Sequence, residues 1–215
     1  MDEKQNFDID LMQIVPEYYS GNQVVRDLFL TRIKIAIDYI KQIKAKKILD
    51  AGCGDGLLFM NLNKNNNTVK EMIGIDMNEY VEELNRSYPF AKFMKQDITK
   101  MDFNNNSFDT VTCLDVLEHF QYLDEPVNEI KRVLKKNGYL IVSGPTESFW
   151  YKLARFFVKG KFSGETGPGA GKHYRNIMNI DTKLQDEFGF EKIKQKKLRF
   201  LFVHLFDINL YKVKK

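Results

Sequence analysis

Between residues 22 and 43 the apolar positions Val25, Leu28, Phe29, Ile33, Ile37 and Ile40 recur at three- and four-residue intervals, the period of a helix with one face against a core. The period then changes. Residues 46–50 form a short apolar run closing on Asp50, and a glycine-rich turn, Gly52-Cys53-Gly54-Asp55-Gly56, leads into Leu57, Leu58, Met60 and Leu62 at helical spacing. Strand, turn and helix repeat from there. A strand over 71–77 carries Asp76 at its end, and Asn78-Glu79 opens a helix through Val81, Leu84 and Tyr88 that Pro89 stops. A third strand over 91–96 is followed by Asp97. The fourth, 108–114, is apolar almost throughout, as a parallel strand covered on both faces is, and Asp115 closes it. A helix over 125–135, with Pro126 in its first turn, is expected to stop at Asn137-Gly138 before a fifth strand at 139–143. Asparagine-rich connectors lie at 63–67 and 102–107. A helix over 181–188 and two strands, 191–199 and 200–213, with a reversal between them, complete the pattern. This alternation predicts an α/β fold: a doubly wound, mostly parallel seven-stranded sheet with the last strand antiparallel and an added N-terminal helix.

Composition narrows the picture. At 215 residues and 43% hydrophobic, the chain can bury one substantial core but not two, so a single domain is expected over 22–215. Residues 1–21 are a flexible lead-in ending in Pro16-Glu17-Tyr18-Tyr19, and an insertion at about 146–180 is expected to shape an acceptor site. The net charge of +4 gathers near the C-terminus, in Lys192, Lys194, Lys196, Lys197, Arg199, Lys212, Lys214 and Lys215; this is read as a solvated surface, with no nucleic acid expected. Two cysteines, Cys53 and Cys113, imply neither a disulfide framework nor a zinc site, and no metal is expected. The polar N-terminus lacks the apolar core of a signal peptide, which makes a cytoplasmic location the expectation.

Candidate chemistry concentrates at strand ends. Alternating glycines let a ligand approach the backbone closely, and the next helix offers free N–H groups. Asp50, Asp76, Asp97 and Asp115 occupy or adjoin four consecutive strand ends, where ligands of open parallel sheets bind. Four carboxylates favour a cationic or hydroxyl-rich ligand and disfavour the pyrophosphate of a nicotinamide cofactor. Asp76, twenty residues beyond Gly56, is placed to accept both hydroxyls of an adenosine ribose. No P-loop pattern occurs.

In ILDAGCGDG (48–56), IGIDMN (73–78), KQDI (95–98), FDTVTCLDVLEHF (108–120) and LKKNGYLIVSGP (134–145) the chain resembles the class I S-adenosylmethionine-dependent methyltransferases, whose fold is Rossmann-like, and in particular the small-molecule group related to quinone-biosynthesis and glycan methyltransferases. The resemblance implies that S-adenosylmethionine is bound and S-adenosylhomocysteine released. It implies that Gly52, Cys53 and Gly54 pass along the methionine portion with Asp50 supporting the loop, and that Asp76 holds the ribose. Met77 would pack on adenine, Asp97 with Ile98 would meet the adenine edge, and the Leu114 main chain would receive the ammonium. Cys53 reads as a small turn residue rather than a nucleophile.

For the acceptor, a small molecule or a lipid- or glycan-linked group methylated at oxygen, His119 and His173 are the candidate bases, since imidazole titrates near neutral pH. Tyr18, Tyr19, Tyr174 and Arg175 are candidate acceptor contacts. Phe149, Trp150, Leu153, Phe156 and Phe157 share a helical face with Lys152, Arg155 and Lys159 displaced from it, so 149–159 is a candidate for peripheral membrane contact. Two other functions stay open: a non-catalytic S-adenosylmethionine-binding regulator, and a nucleic-acid methyltransferase, against which stands the absence of an Asn/Asp-Pro-Pro-aromatic motif after the fourth strand.

Overall fold

The computed structural model describes residues 23–64, 69–148, 172–200 and 202–214. Helix α1 (Gln23–Gln42) precedes β1 (Lys47–Ala51). The chain then runs through α2 (Leu57–Lys64), β2 (Glu71–Asp76), α3 (Val81–Ser87), β3 (Lys92–Lys95), β4 (Phe108–Leu114), a 3-10 turn (Leu117–His119), α4 (Asp124–Val133), β5 (Leu134–Pro145), α5 (Ile177–Asp186), β6 (Phe190–Phe200) and β7 (Val203–Val213). All seven strands join one sheet in the order β3-β2-β1-β4-β5-β7-β6. The first five pair in parallel, and β7 runs antiparallel to both its neighbours, β5 and β6. The doubly wound sheet expected from the alternation is present, with the last strand inserted inside it.

Both faces are covered. Ile37, Ile40, Leu58, Phe59 and Leu84 from α1 to α3 pack on one side with Ile48, Met72 and Ile141 of the sheet. Val127, Ile130, Ile180 and Leu184 of α4 and α5 pack on the other with Leu49, Val111 and Leu140. This double burial is why β1, β4 and the later part of β5 read as continuous apolar runs. Strand order reverses between β1 and β4, where chains leave in opposite directions and open a crevice at the carboxyl ends.

Two element boundaries differ from those the sequence predicts. Helix α4 ends at Val133 and the chain enters β5 at once: Leu134 pairs with Phe108, the ladder resumes with Tyr139 opposite Thr110, and residues 135–138 form a bulge. Asn137 takes a φ of 59° there, and a Cβ on Gly138 would lie 2.9 Å from the Lys135 carbonyl oxygen. Asn137-Gly138 is thus the kink of a bulged strand and not the stop of a helix. Helix α5 begins at Ile177 and ends at Asp186, because Asn176, in extended conformation, accepts a hydrogen bond from Asn179 N at 2.9 Å and caps it early.

The lead-in with Tyr18 and Tyr19, the 149–159 stretch and the glycine-rich stretch 164–171 lie outside the described residues. Among the described residues no helix is long and apolar enough to cross a membrane.

Candidate functional site

The glycine turn is held by the neighbouring strand. Gly52 N and Cys53 N both donate to the Ile75 carbonyl, at 2.8 and 3.0 Å, and Gly54 N donates to Asp76 Oδ2 at 2.9 Å. Asp76 Oδ1 accepts from Asn78 N at 3.1 Å, so the carboxylate bridges the turn and the exit of β2. A carboxylate has about four lone-pair sites, and these two bonds leave acceptor capacity for hydroxyls. Gly52 cannot be replaced without strain: its φ is +81°, and a Cβ would sit 2.3 Å from Val116 Cγ2. The segment leaving β4 therefore passes directly over the turn leaving β1.

Asp50 lies beneath this turn, 3% exposed, and accepts from Thr112 Oγ1 on β4 at 2.6 Å. Burial pushes its carboxyl up to about 7, against the pull of the Thr112 hydroxyl, with Asp76 and Asp55 adding to the rise. Asp55 caps α2 by accepting from Leu57 N at 3.2 Å. Cys53 is buried, and burial together with Asp50, Asp76 and Asp55 pushes its thiol well up, the opposite of what a nucleophile needs.

The remaining cofactor candidates line the same edge. Met77 is 59% exposed and Ile98 is buried. Asp97 Oδ1 accepts from both the N and the Oγ1 of Thr99 at 2.8 Å, closing a turn after β3, whose exit is tied to β2 through Gln96 N donating to the Asp76 carbonyl at 3.1 Å. Leu114 ends β4 opposite Ser143.

Asp115 turns the chain out of β4 in the left-handed region, with φ 58°, a conformation aspartate tolerates better than most residues. It is fixed from two sides. Ser143 Oγ donates to its Oδ1 at 3.0 Å, and the Arg32 guanidinium from α1 forms an ion pair with its Oδ2. Arg32 is itself buried between the rings of Phe29 and Phe206, at 3.9 and 4.3 Å from their centroids. Helix α1 therefore does more than cover the sheet, since it delivers a cation to the mouth of the crevice.

Two residues beyond Val116, Glu118 and His119 close the 3-10 turn. The segment 172–175 returns to meet them: Tyr174 N donates to the Glu118 carbonyl at 2.8 Å and Arg175 Nη2 to the Gln121 carbonyl at 2.7 Å. This brings the rings of His119 and His173 edge to face, 4.8 Å between centroids. His173 Nδ1 lies 2.7 Å from Glu147 Oε1. Burial pushes the Glu118 carboxyl well above the usual carboxylate range, Asp115 adding to it and the backbone N–H and Arg32 opposing. Tyr174 is 47% exposed beside this group.

The structure thus gathers Gly52, Cys53, Gly54, Asp50 and Asp76 at one side of the crevice and His119, His173, Tyr174 and Arg175 at the other. Sequence reasoning missed Arg32, Thr112, Glu118 and Glu147. Glu118 carried a signal in standing next to His119 after an acidic strand end. Arg32 carried another, as the one charge on an otherwise apolar helical face. Glu147 and Thr112 carried none, since they matter only through strand neighbours distant in sequence.

Residues 49–142 match the family described as "Methyltransferase domain". The chain is 35% identical over 116 residues to an uncharacterised protein of Methanocaldococcus jannaschii, covering 54% of this chain and 48% of that protein. To a ubiquinone biosynthesis O-methyltransferase of Coxiella burnetii it is 28% identical over 123 residues, covering 54% of this chain and 51% of that one. It therefore spans about half the length of these curated relatives. Its fold is that of magnesium protoporphyrin IX methyltransferase from Synechocystis PCC 6803, solved with bound SAH, at a TM-score of 0.66 and 22% identity, covering 93% of this chain and 92% of that one.

Proposed function

We propose that the chain, whose residues 49–142 match the methyltransferase-domain family, works as a class I S-adenosylmethionine-dependent methyltransferase and transfers the methyl group to an oxygen of a small-molecule acceptor. The observation that carries the reading is the composition of the crevice between β1 and β4. One side is a glycine turn bound to Asp76, suited to a ribose diol and a methionine chain; the other is the polar group of Glu118, His119, His173 and Glu147. Val116, in contact with the Cβ position of Gly52, joins the two.

S-adenosylmethionine supplies an activated methyl group on a sulfonium, so the protein's task is mainly to orient donor and acceptor in line. Asp76 would hold the ribose, Met77 would pack on adenine, Asp97 with Ile98 would meet the adenine edge, and the Leu114 main chain would receive the ammonium. Asp50, held by Thr112, supports the turn along which the methionine portion runs. A neutral amine can attack before it loses a proton, whereas a hydroxyl benefits from losing one first, and two imidazoles beside a buried carboxylate suit that need. His173, oriented by Glu147, and His119 are the groups that would receive the proton, with Tyr174 and Arg175 contacting the acceptor. The O-methyltransferase activity named for the Coxiella relative agrees with this choice. Tyr18, Tyr19 and the 149–159 stretch would add acceptor or membrane contacts.

The test combines calorimetric binding of S-adenosylhomocysteine with transfer of isotopically labelled methyl to a panel of hydroxyl, amine and carbon acceptors. Binding should be tight in the wild type and about 100-fold weaker in Asp76→Ala, the loss of two charge-assisted bonds at about 1.5 kcal/mol each. Transfer should favour hydroxyl acceptors. Binding with no transfer to any acceptor would point to the regulator instead.

A further inference from the structure

The group at the end of the 3-10 turn has the make-up of a cation site. One potential ligand atom from each of Glu118, His119 and His173 lies within 4.8 Å of the others. Two segments converge to achieve this, the turn after β4 and the segment 172–175, and the bond from Tyr174 N to the Glu118 carbonyl, at 2.8 Å, locks them together. The geometry has the second layer that metal-binding imidazoles use. Glu147 Oε1 occupies His173 Nδ1 at 2.7 Å, which fixes the ring and leaves Nε2 for a ligand.

An independent observation comes from Glu118. The residue is 1% exposed, and its Oε2 has no hydrogen-bond partner among the described residues. Burying a carboxylate oxygen without a partner is costly, and a cation between it and two imidazoles offsets that cost. Arg32, the cation whose charge acts on Glu118, is already engaged with Asp115.

The donor set narrows the cation. Two imidazole nitrogens and one carboxylate suit divalent first-row transition metals, whereas calcium and magnesium take nearly all-oxygen shells. Three protein ligands also leave coordination positions open, the arrangement of catalytic and not of structural sites. We propose that Glu118, His119 and His173 bind one divalent first-row transition cation, with Glu147 orienting His173. The binding stands by itself. Its use rests on the methyl-transfer reading: an open position takes the acceptor hydroxyl, whose proton passes to water instead of to an imidazole. The oxygen's electron pair then forms the C–O bond as the C–S bond breaks and its pair stays on sulfur.

The experiment uses the full-length, tag-free chain, stripped with a chelator and desalted. Cobalt(II) is titrated in and followed by its visible absorption, with zinc(II) measured by calorimetry. A single equivalent should bind with nitrogen-containing coordination. Glu118→Gln and His173→Gln should each weaken binding by at least about 100-fold, and Glu147→Gln by about 10–100-fold, as loss of an orienting partner does. Binding of S-adenosylhomocysteine by every variant reports that each is folded. A wild type that binds S-adenosylhomocysteine but no cobalt overturns the proposal, as does cobalt binding that Glu118→Gln and His173→Gln leave unchanged. Failure of the wild type to bind S-adenosylhomocysteine would instead sink the methyl-transfer reading, and the cobalt titration, with folding then checked by circular dichroism, would still decide the cation site.

Discussion

Replacing Asp50 by asparagine should remove a pH dependence of stability that the wild type carries between about pH 4 and pH 7. The carboxyl is 3% exposed and its folded-state value is pushed from 3.8 up to about 7, chiefly by burial. In the unfolded chain it returns to the ordinary aspartate value of about 3.9. Between those limits the folded protein holds a proton that the unfolded chain has lost. Stability from this group is therefore fully present below about pH 4, falls as pH rises, and levels off above about pH 7. About three units at 1.36 kcal/mol each gives a loss on the order of 4 kcal/mol across the window. Asparagine keeps the shape and can accept the Thr112 hydroxyl through its amide oxygen, but it has no proton to lose. Urea unfolding of both proteins at matched ionic strength is the assay. The wild-type advantage over Asp50→Asn should shrink by about 4 kcal/mol from about pH 4 to pH 8, because other carboxylates contribute equally to both curves. Parallel curves would refute the reasoning and place the Asp50 carboxyl in contact with water.

Two further substitutions test the crevice. Gly52→Ala forces a side chain into the left-handed region and against Val116, 2.3 Å away; S-adenosylhomocysteine affinity should fall at least about tenfold with the fold retained by circular dichroism. Unchanged affinity would mean that the chain leaving β4 does not press on the turn. Arg32→Met strips Asp115 of its ion pair and should cost about 3 kcal/mol in urea unfolding, with part of the loss recovered when Asp115→Asn is added.

How much of this was readable beforehand depended on the range of the interactions. Strands β1, β2 and β4 declared themselves because double burial leaves apolar runs and because each run stops at an aspartate. Asp76 was readable for the same reason, its spacing from the glycines being local. The start of β5 was not. Leu134 to Gly138 has the look of a helix running to a stop, and only pairing with Phe108 on β4 makes it a bulged strand. The start of α5 depended on one cap, Asn176, in a stretch with no period. His119 and His173, 54 residues apart, could be named as separate candidates; that they meet ring to ring follows from a loop return which no spacing encodes. Glu147 was invisible because its significance is a single contact with His173.

The position of β7 has a consequence for how the molecule is made. Among the seven strands it is the last to be synthesised, yet it lies inside the sheet, between β5 and β6. While a ribosome is still extending the chain, β6 has no neighbour to pair with and β5 presents an open edge. Phe206, one of the two rings that clasp Arg32, belongs to that late strand, so the crevice mouth is finished only when sheet closure is. A nascent chain could form its glycine turn early and still lack a fixed Asp115. A chain cut short ahead of β7 would thus carry a basic strand, β6, with no strand to pair with.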